Sequence, residues 1–368
     1  MPLYSAAASD MENLCFKSPA QYTNISEMIG VANMKCQNIN IIGAGIYHPK
    51  NRVDNQYFID HYKKMDIEVE GLMKHLKREY RYLSDDPDET AITMGNYAAK
   101  AALKEANVDI QDIDLLVFAT DTPEYTSPAN AIKLLDVLGG PTIQMAYDTN
   151  ANCLGLLTAL DQASRILMTN KRFKNALVVG SILFSSFTSK NDVVSYVNFG
   201  DAAAAVVLKK EDEDEKRGFI DSVHMTQTSE CDNILMPKAG FSKIIRDKVM
   251  DEENKKWYWD PFDGSFISDI WVNLIEDLTR DNGITPADLG HLIFSQFALP
   301  DTHLALDKLG IDYSKTTYVG NEFGYTGTTS PILALDRALK TGKIKKGDYV
   351  TLCSMGAGTT ASALLFRF

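Results

Sequence analysis

Nowhere does this chain string together the ~18 apolar residues that a membrane-spanning helix needs, and its N-terminus lacks the basic-then-apolar order of a secretory signal. A cytoplasmic protein that makes no use of a membrane is therefore expected. Cysteine is scarce and scattered. Cys15, Cys36, Cys153, Cys231 and Cys353 are odd in number and show neither CxxC nor Cys/His ligand spacing, which excludes a disulfide framework and a zinc site and leaves reduced thiols. Positive charge is in deficit, with 37 Lys and Arg against 49 Asp and Glu, net −12. Nucleic acid binding, which needs a concentrated basic surface, is excluded as the main activity. What is present is ordinary for a soluble globular protein: 368 residues, 45% hydrophobic, can bury one large core or two fused smaller ones.

Residues 1–33 have little periodicity and are read as an extension, either disordered or the product of an upstream start codon. From Met34 onward β-rich runs alternate with helical stretches. "INIIGAG", "DLLVFATD", "TIQMAYD", "NALVVGS" and "AAAAVVL" read as buried strands. "DETAITMGNYAAKAALKEAN" and "CLGLLTALDQASRIL" carry apolar residues at helical spacing, and the alternation predicts an α/β architecture. The chain also resembles itself. "TALDQASRILMTNKRFKNALVVGS" (158–181) parallels "LALDRALKTGKIKKGDYVTLCS" (333–354), and "GDAAAAVVLKK" parallels "GTTASALLFRF". Two halves follow, 34–210 and 211–368, divided near the charged run "KKEDEDEKR" (209–217), which reads as a solvated loop. Each half would hold one sheet, giving five layers, αβαβα, with helices buried between the sheets.

Cys153 stands at or next to the first turn of a helix, after the small polar run "DTNAN". Unpaired amides and the helix dipole at such a position lower a thiol's pKa and suit a nucleophile; a buried structural cysteine is the alternative reading.

The stretches "DTNANCLGLLTAL", "ALVVGS" and "NFGDAAAAVVL", with "PDETAITMG" and "DIDLLVFATDTP" upstream and "GAGTTASALLFRF" at the C-terminus, resemble the ketoacyl synthase III branch of the thiolase-like condensing enzymes over roughly residues 36–368. The resemblance implies the duplicated five-layered thiolase-like fold, usually as a homodimer. It also makes Cys153 the thiol that accepts an acyl group from coenzyme A or an acyl carrier protein. By position, the oxyanion donors would be the backbone amides of Cys153 and Ala357, the latter in "GAG". No cofactor or metal is implied beyond the thioester substrate itself.

Two departures from that family matter most. Its His-Gln-Ala-Asn stretch aligns with "SQFA", putting Ser295 at the histidine, and its Gly-Asn-Thr aligns with "GYT", putting Tyr325 at the asparagine. The separation, 325 − 295 = 30, fits the family spacing. A serine cannot act as imidazole does, and tyrosine, with a pKa near ~10, is a hydrogen-bond donor only. The other histidines (His48, His61, His75, His224, His291, His303) have no motif around them. Glu322 in "GNEFGYTG" and Glu124 in "DTPEYTSP" are stand-ins as base, with a structural or solvated role as the alternative. Cys353 does not fit a second-thiol position and reads as a strand residue.

The family's donor-binding features are altered too. The only tryptophans are Trp257, Trp259 and Trp271, so none lies in the first-half cap where some relatives stack adenine. On the helix after the altered histidine, Asp301 and Asp307 outnumber Lys308, so a carrier protein would have to dock elsewhere. "KKWYWDPFDGSF" (255–266) could line an acyl or acceptor pocket, or form an interface or core patch.

The expected function is an acyltransferase with Cys153 as nucleophile, Ala357 as oxyanion donor, and Ser295 and Tyr325 around a small-molecule acceptor that need not lose carbon dioxide, in specialised biosynthesis. The alternatives are a carbon–carbon bond-forming ketosynthase with an atypical base, and a catalytically silent partner subunit of a heterodimer with an active paralogue.

Overall fold

The computed structural model describes residues 35–368 except 141 and 248, so the extension expected at 1–33 lies outside the described residues. Nine strands form the main sheet: β1 (Cys36–Tyr47), β2 (Leu115–Ala119), β3 (Met145–Thr149), β4 (Asn175–Ile182), β5 (Ala202–Glu213), β6 (Gly218–Thr226), β7 (Leu289–Phe294), β8 (Tyr349–Gly356) and β9 (Thr360–Arg367). Their spatial order is β7-β8-β9-β6-β1-β5-β4-β2-β3. Five belong to the first half and four to the second. The two groups meet at a single parallel pair, Ile39 with Gly218. Gly218 has φ +72°, and a Cβ there would stand 2.2 Å from the Ile39 carbonyl oxygen, so only glycine permits the junction.

Apolar side chains on both faces of the strands explain the layering. Leu115 and Val117 point to one face of β2, Leu116 and Phe118 to the other, as the twofold period of a strand requires. On the outer face of the first half, helix α1 (Ala91–Ala106), capped by Thr90, lies against β1. Its Ala98 and Ala102 backbones come so close that a Cβ on Gly45 would sit 2.3 Å from Ala102 N. Helix α2 (Asn130–Val137) covers β2 and β3 beside it. On the outer face of the second half lie α4 (Ile267–Asp281) and α5 (Leu299–Leu309), with Trp271, Ile275 and Leu278 against Phe294 and Leu365. Between the two groups of strands run the repeated Ala-Leu-Asp helices, α3 (Gly155–Thr169) and α6 (Ser330–Lys340). Leu156, Leu160, Ile332 and Leu335 pack there against Val178 and Val206 from one side and Leu352 and Leu364 from the other. This is the five-layered thiolase-like αβαβα arrangement.

One expectation is corrected. Residues 209–213 are not a loop but the end of β5, paired with the start of β1 from Cys36↔Glu213 onward. The inward charges are tolerated because they find partners: Lys209 Nζ lies 2.9 Å from Glu211, Arg217 pairs with Glu213, and Asn38 and Asn40 donate to the same carboxylates. The turn between the halves is confined to 214–217, so a boundary at 210/211 would cut the last residues of a strand.

Candidate active site

β2 and β3 are adjacent and parallel, and the residues that follow their carboxyl ends converge. After β3 the chain makes a 3₁₀ turn over Asn152–Leu154, with Asn152 at φ +53°, and enters α3 at Gly155. This turn presents Cys153. Its carbonyl accepts a hydrogen bond from Ser354 Oγ at 3.0 Å, and Asn152 Nδ2 donates to the Ala357 carbonyl at 3.2 Å. The cysteine turn and the Gly356–Gly358 loop that closes the β8–β9 hairpin are thereby fixed to each other across 201 residues of sequence or more.

Cys153, Ser295, Tyr325, Gly356 and Ala357 line one pocket, so all four residues singled out in the sequence come together. Ser295 follows β7, its amide donating to the Cys353 carbonyl at 2.8 Å. Tyr325 is pinned by its own backbone, which donates to the Asn198 carbonyl at 2.8 Å and accepts from Gly200 N at 3.0 Å. The Ser295 and Tyr325 hydroxyls lie 3.2 Å apart, and the Tyr325 hydroxyl also hydrogen-bonds the Cys153 thiol. Burial holds Tyr325 well above the ordinary tyrosine range, as does the neighbouring Cys153, against a smaller opposing effect of Ser295.

The thiol departs from expectation. Instead of being lowered at the helix head, Cys153 is pushed up to about 12, first by burial and then by the negative charge of Asp121; the Tyr325 hydroxyl and the Cys153 amide oppose this without overcoming it. The helix head is also partly spent, because the Leu156 amide donates to Thr328 Oγ1 from the second half. Desolvation of the thiolate is the largest influence on this partly buried residue.

Asp121 is the residue that the sequence reading missed. It follows β2, is 6% exposed, and both its carboxylate oxygens are buried without a hydrogen-bond partner among the described residues. Burial raises its pKa to about 7. Its charge acts on both Cys153 and Tyr325, so one buried acid sits beside the thiol and is poised to gain or lose a proton near neutrality. Arg78 was also missed, and no sequence signal marks it. Buried at 2% exposure, it donates to Asn198 Oδ1 and to the Gln296 and Phe297 carbonyls, bracing the segments that carry Ser295 and Tyr325.

The stand-in bases lie elsewhere. Glu322 pairs with Arg337 at 2.8 Å, and Glu124 is exposed on a loop. None of the six histidines lines the pocket. His291 is buried against Thr317 Oγ1 at 2.9 Å and pushed down to about 4 by burial, while His303 stacks on Tyr313. Cys353 is a fully buried residue of β8. The aromatic stretch 255–266 does reach the site: Trp257, Trp259 and Phe262 line the pocket together with Phe184, Phe199 and Phe297. Two carboxylates, Glu230 and Asp301, complete its wall. Burial raises Asp301, and nearby His75 opposes that rise. No group of His, Cys, Asp or Glu among the described residues could hold a metal ion.

Residues 147–228 match the family described as 3-oxoacyl-acyl-carrier-protein (ACP) synthase III, and residues 279–368 match its C-terminal domain. Beta-ketoacyl-acyl-carrier-protein synthase III of Sphingopyxis alaskensis is 31% identical over 325 residues, 88% of this chain and 97% of that protein. The crystal structure of the Aquifex aeolicus 3-oxoacyl-acyl-carrier-protein synthase III superposes with a TM-score of 0.76 at 27% identity, over 90% of this chain and all of the other. The priming β-ketosynthase of the R1128 polyketide pathway gives a TM-score of 0.79 at 24% identity over 92% and 99% of the two chains, a likeness of fold. At 31% identity over 88% of its length, and with the same fold, this chain belongs to the ketoacyl synthase III family of thiolase-fold, acyl-transferring condensing enzymes.

Proposed function

We propose that this protein takes an acyl group from a coenzyme A or acyl carrier protein thioester onto Cys153 and passes it to an acceptor that does not lose carbon dioxide. One observation carries the reading. Among the described residues the nucleophile's pocket is lined by no histidine and no cation, and the charged groups that line it are the acids Glu230 and Asp301. A malonyl carboxylate entering it would meet like charge, and the enolate left after decarboxylation would find two neutral hydroxyls where positive charge is needed.

In the first half-reaction Asp121 takes the proton of the Cys153 thiol, and the sulfur attacks the thioester carbonyl. The developing oxyanion is received by the amides of Cys153 and Ala357, an arrangement worth several kcal/mol in related chemistry. Collapse expels the donor thiolate, which recovers the proton held by Asp121. Tyr325 donates to the sulfur throughout and so offsets part of the cost of the buried thiolate. In the second half-reaction the acceptor attacks the acyl-sulfur carbon, and the proton it loses passes to the departing Cys153 sulfur, which restores the thiol. Asp121 in its charged form raises the thiol and in its neutral form does not, so moving one proton between the two groups keeps a single negative charge in the site.

The acyl enzyme is read as cytoplasmic and dimeric. Among the described residues no strand pairs with the outer edge of β3, where Met145 is 40% exposed and Ile132 and Val137 of the covering α2 are exposed too, which supports a dimer through that edge. Intact-protein mass spectrometry after incubation with acyl thioesters of graded length tests the function. An adduct that disappears in Cys153→Ala, with no carbon dioxide released from a malonyl thioester, is expected. Absence of an adduct with every donor would favour the silent-subunit reading, and release of carbon dioxide the condensing one.

A further inference from the structure

We propose that the acceptor is an arylalkyl primary amine, a flat ring carrying its amine on a short alkyl chain, bound as its ammonium form; this rests on the acyl-transfer reading above. All three tryptophans of the chain line the pocket. Trp259 and Phe297 lie parallel, 3° between planes with centroids 5.4 Å apart, and Phe262 continues the stack on Trp259 at 6.2 Å and 19°. Such planes favour a flat ring. Aromatic faces carry negative quadrupole potential and attract a cation within about 6 Å. Glu230 and Asp301 stand in the same wall, with no lysine or arginine among the lining residues. His75 acts on Asp301 from outside the wall, Lys74, Lys77 and Arg78 line a separate groove with Leu299 and Tyr318, and the Arg78 guanidinium is engaged by the Asn198 side chain and the Gln296 and Phe297 carbonyls. An anion would be repelled by both the faces and the carboxylates, a neutral alcohol would be indifferent to the carboxylates, and an ammonium is attracted by both.

The chemistry balances without a further reagent. One ammonium proton passes to a carboxylate of the wall and on to water. The free amine attacks the acyl carbon, a second N–H proton goes to the Cys153 sulfur as the carbon–sulfur bond breaks, and an amide leaves.

Because every tryptophan lies at this site, intrinsic fluorescence of the full chain reports binding there directly. Titration with 2-phenylethylamine, 2-phenylethanol and phenylacetate at pH 7.5 is expected to show the amine binding at least tenfold more tightly than the alcohol, and phenylacetate most weakly. In Glu230→Gln/Asp301→Asn, checked for folding by far-ultraviolet circular dichroism and backed by each single variant, the amine should fall to the affinity of the alcohol. Cys153→Ala should keep the preference, so the binding result stands apart from the success or failure of acylation. Equal or tighter binding of phenylacetate, or a cation preference surviving in the double variant, would overturn the proposal.

Discussion

Asp121 is the residue on which the proposed chemistry and the stability of the fold pull in opposite directions, and the conflict can be measured. Its pKa rises from 3.8 to about 7 because burial strips water from the charged form. Between those values the native protein holds a proton that the unfolded chain has already released, so stability falls as pH rises, by about 1.4 kcal/mol per pH unit. Across 7 − 3.8, roughly three pH units, the ionised carboxylate costs about 4 kcal/mol, fully present above pH 7 and absent below about pH 4. Asp121→Asn keeps the shape and removes the charge. Urea unfolding of both proteins from pH 4 to pH 8 should show the variant more stable by about 4 kcal/mol at pH 8, with the gap closing toward pH 4. Asp201, pushed up to about 6, and His291, pushed down to about 4, titrate in both proteins and cancel in the difference. The same variant should lose acyl transfer to the acceptor. A gap that does not change with pH, or a variant less stable at pH 8, would refute the placement of a buried, unpaired carboxylate beside the thiol.

Other consequences are simpler. Iodoacetamide alkylation of Cys153, resolved by peptide mass spectrometry from exposed Cys231, should keep accelerating beyond pH 9 without a plateau, since the thiol sits at about 12. In Asp121→Asn it should be faster than wild type above pH 7, where the native carboxylate is charged, and the difference should vanish below pH 6. Ser295→His/Tyr325→Asn is expected to restore measurable carbon dioxide release from a malonyl thioester, at least tenfold over wild type; a double variant that folds, is acylated at Cys153 and stays silent would show that more than these two positions excludes decarboxylation. Glu322→Gln breaks a half-exposed ion pair with Arg337, so unfolding should change by under about 1 kcal/mol and acyl transfer by less than twofold. Gly45→Ala drives a methyl group into the Ala98 and Ala102 backbone of α1 and should cost about 3 kcal/mol or more in urea unfolding.

The fold was legible because its signals are local and repeated. Strands such as "DLLVFATD" and "AAAAVVL" are apolar on both faces because each is covered on both sides, and the second Ala-Leu-Asp helix marks the second buried layer. Charge misled where pairing decided: "KKEDEDEKR" reads as solvent-seeking until β1 supplies Asn38 and Asn40 to its carboxylates. That partner is more than 170 residues away, beyond the reach of any local pattern.

The candidate site divides along the same line. Cys153, Ala357, Ser295 and Tyr325 stand in linear motifs whose spacing survives in one dimension. The protonation of the thiol does not, since it depends on what surrounds the sulfur. Position at a helix head argued for a lowered pKa; burial, an adjacent carboxylate and a Thr328 hydroxyl already occupying the Leu156 amide reverse the sign. A signal for Asp121 was nonetheless available. An acid placed directly after the apolar run of one strand, when the nucleophile follows the next strand of a parallel pair, must emerge at the same edge of the sheet, the edge where α/β folds assemble their sites. In "FATDTP" this geometry marks Asp121, buried within electrostatic reach of the thiol, and not Glu124, which lies three residues on and faces solvent. The site then needs no histidine to move a proton at neutral pH. It needs one buried acid raised to about 7 within electrostatic reach of the thiol.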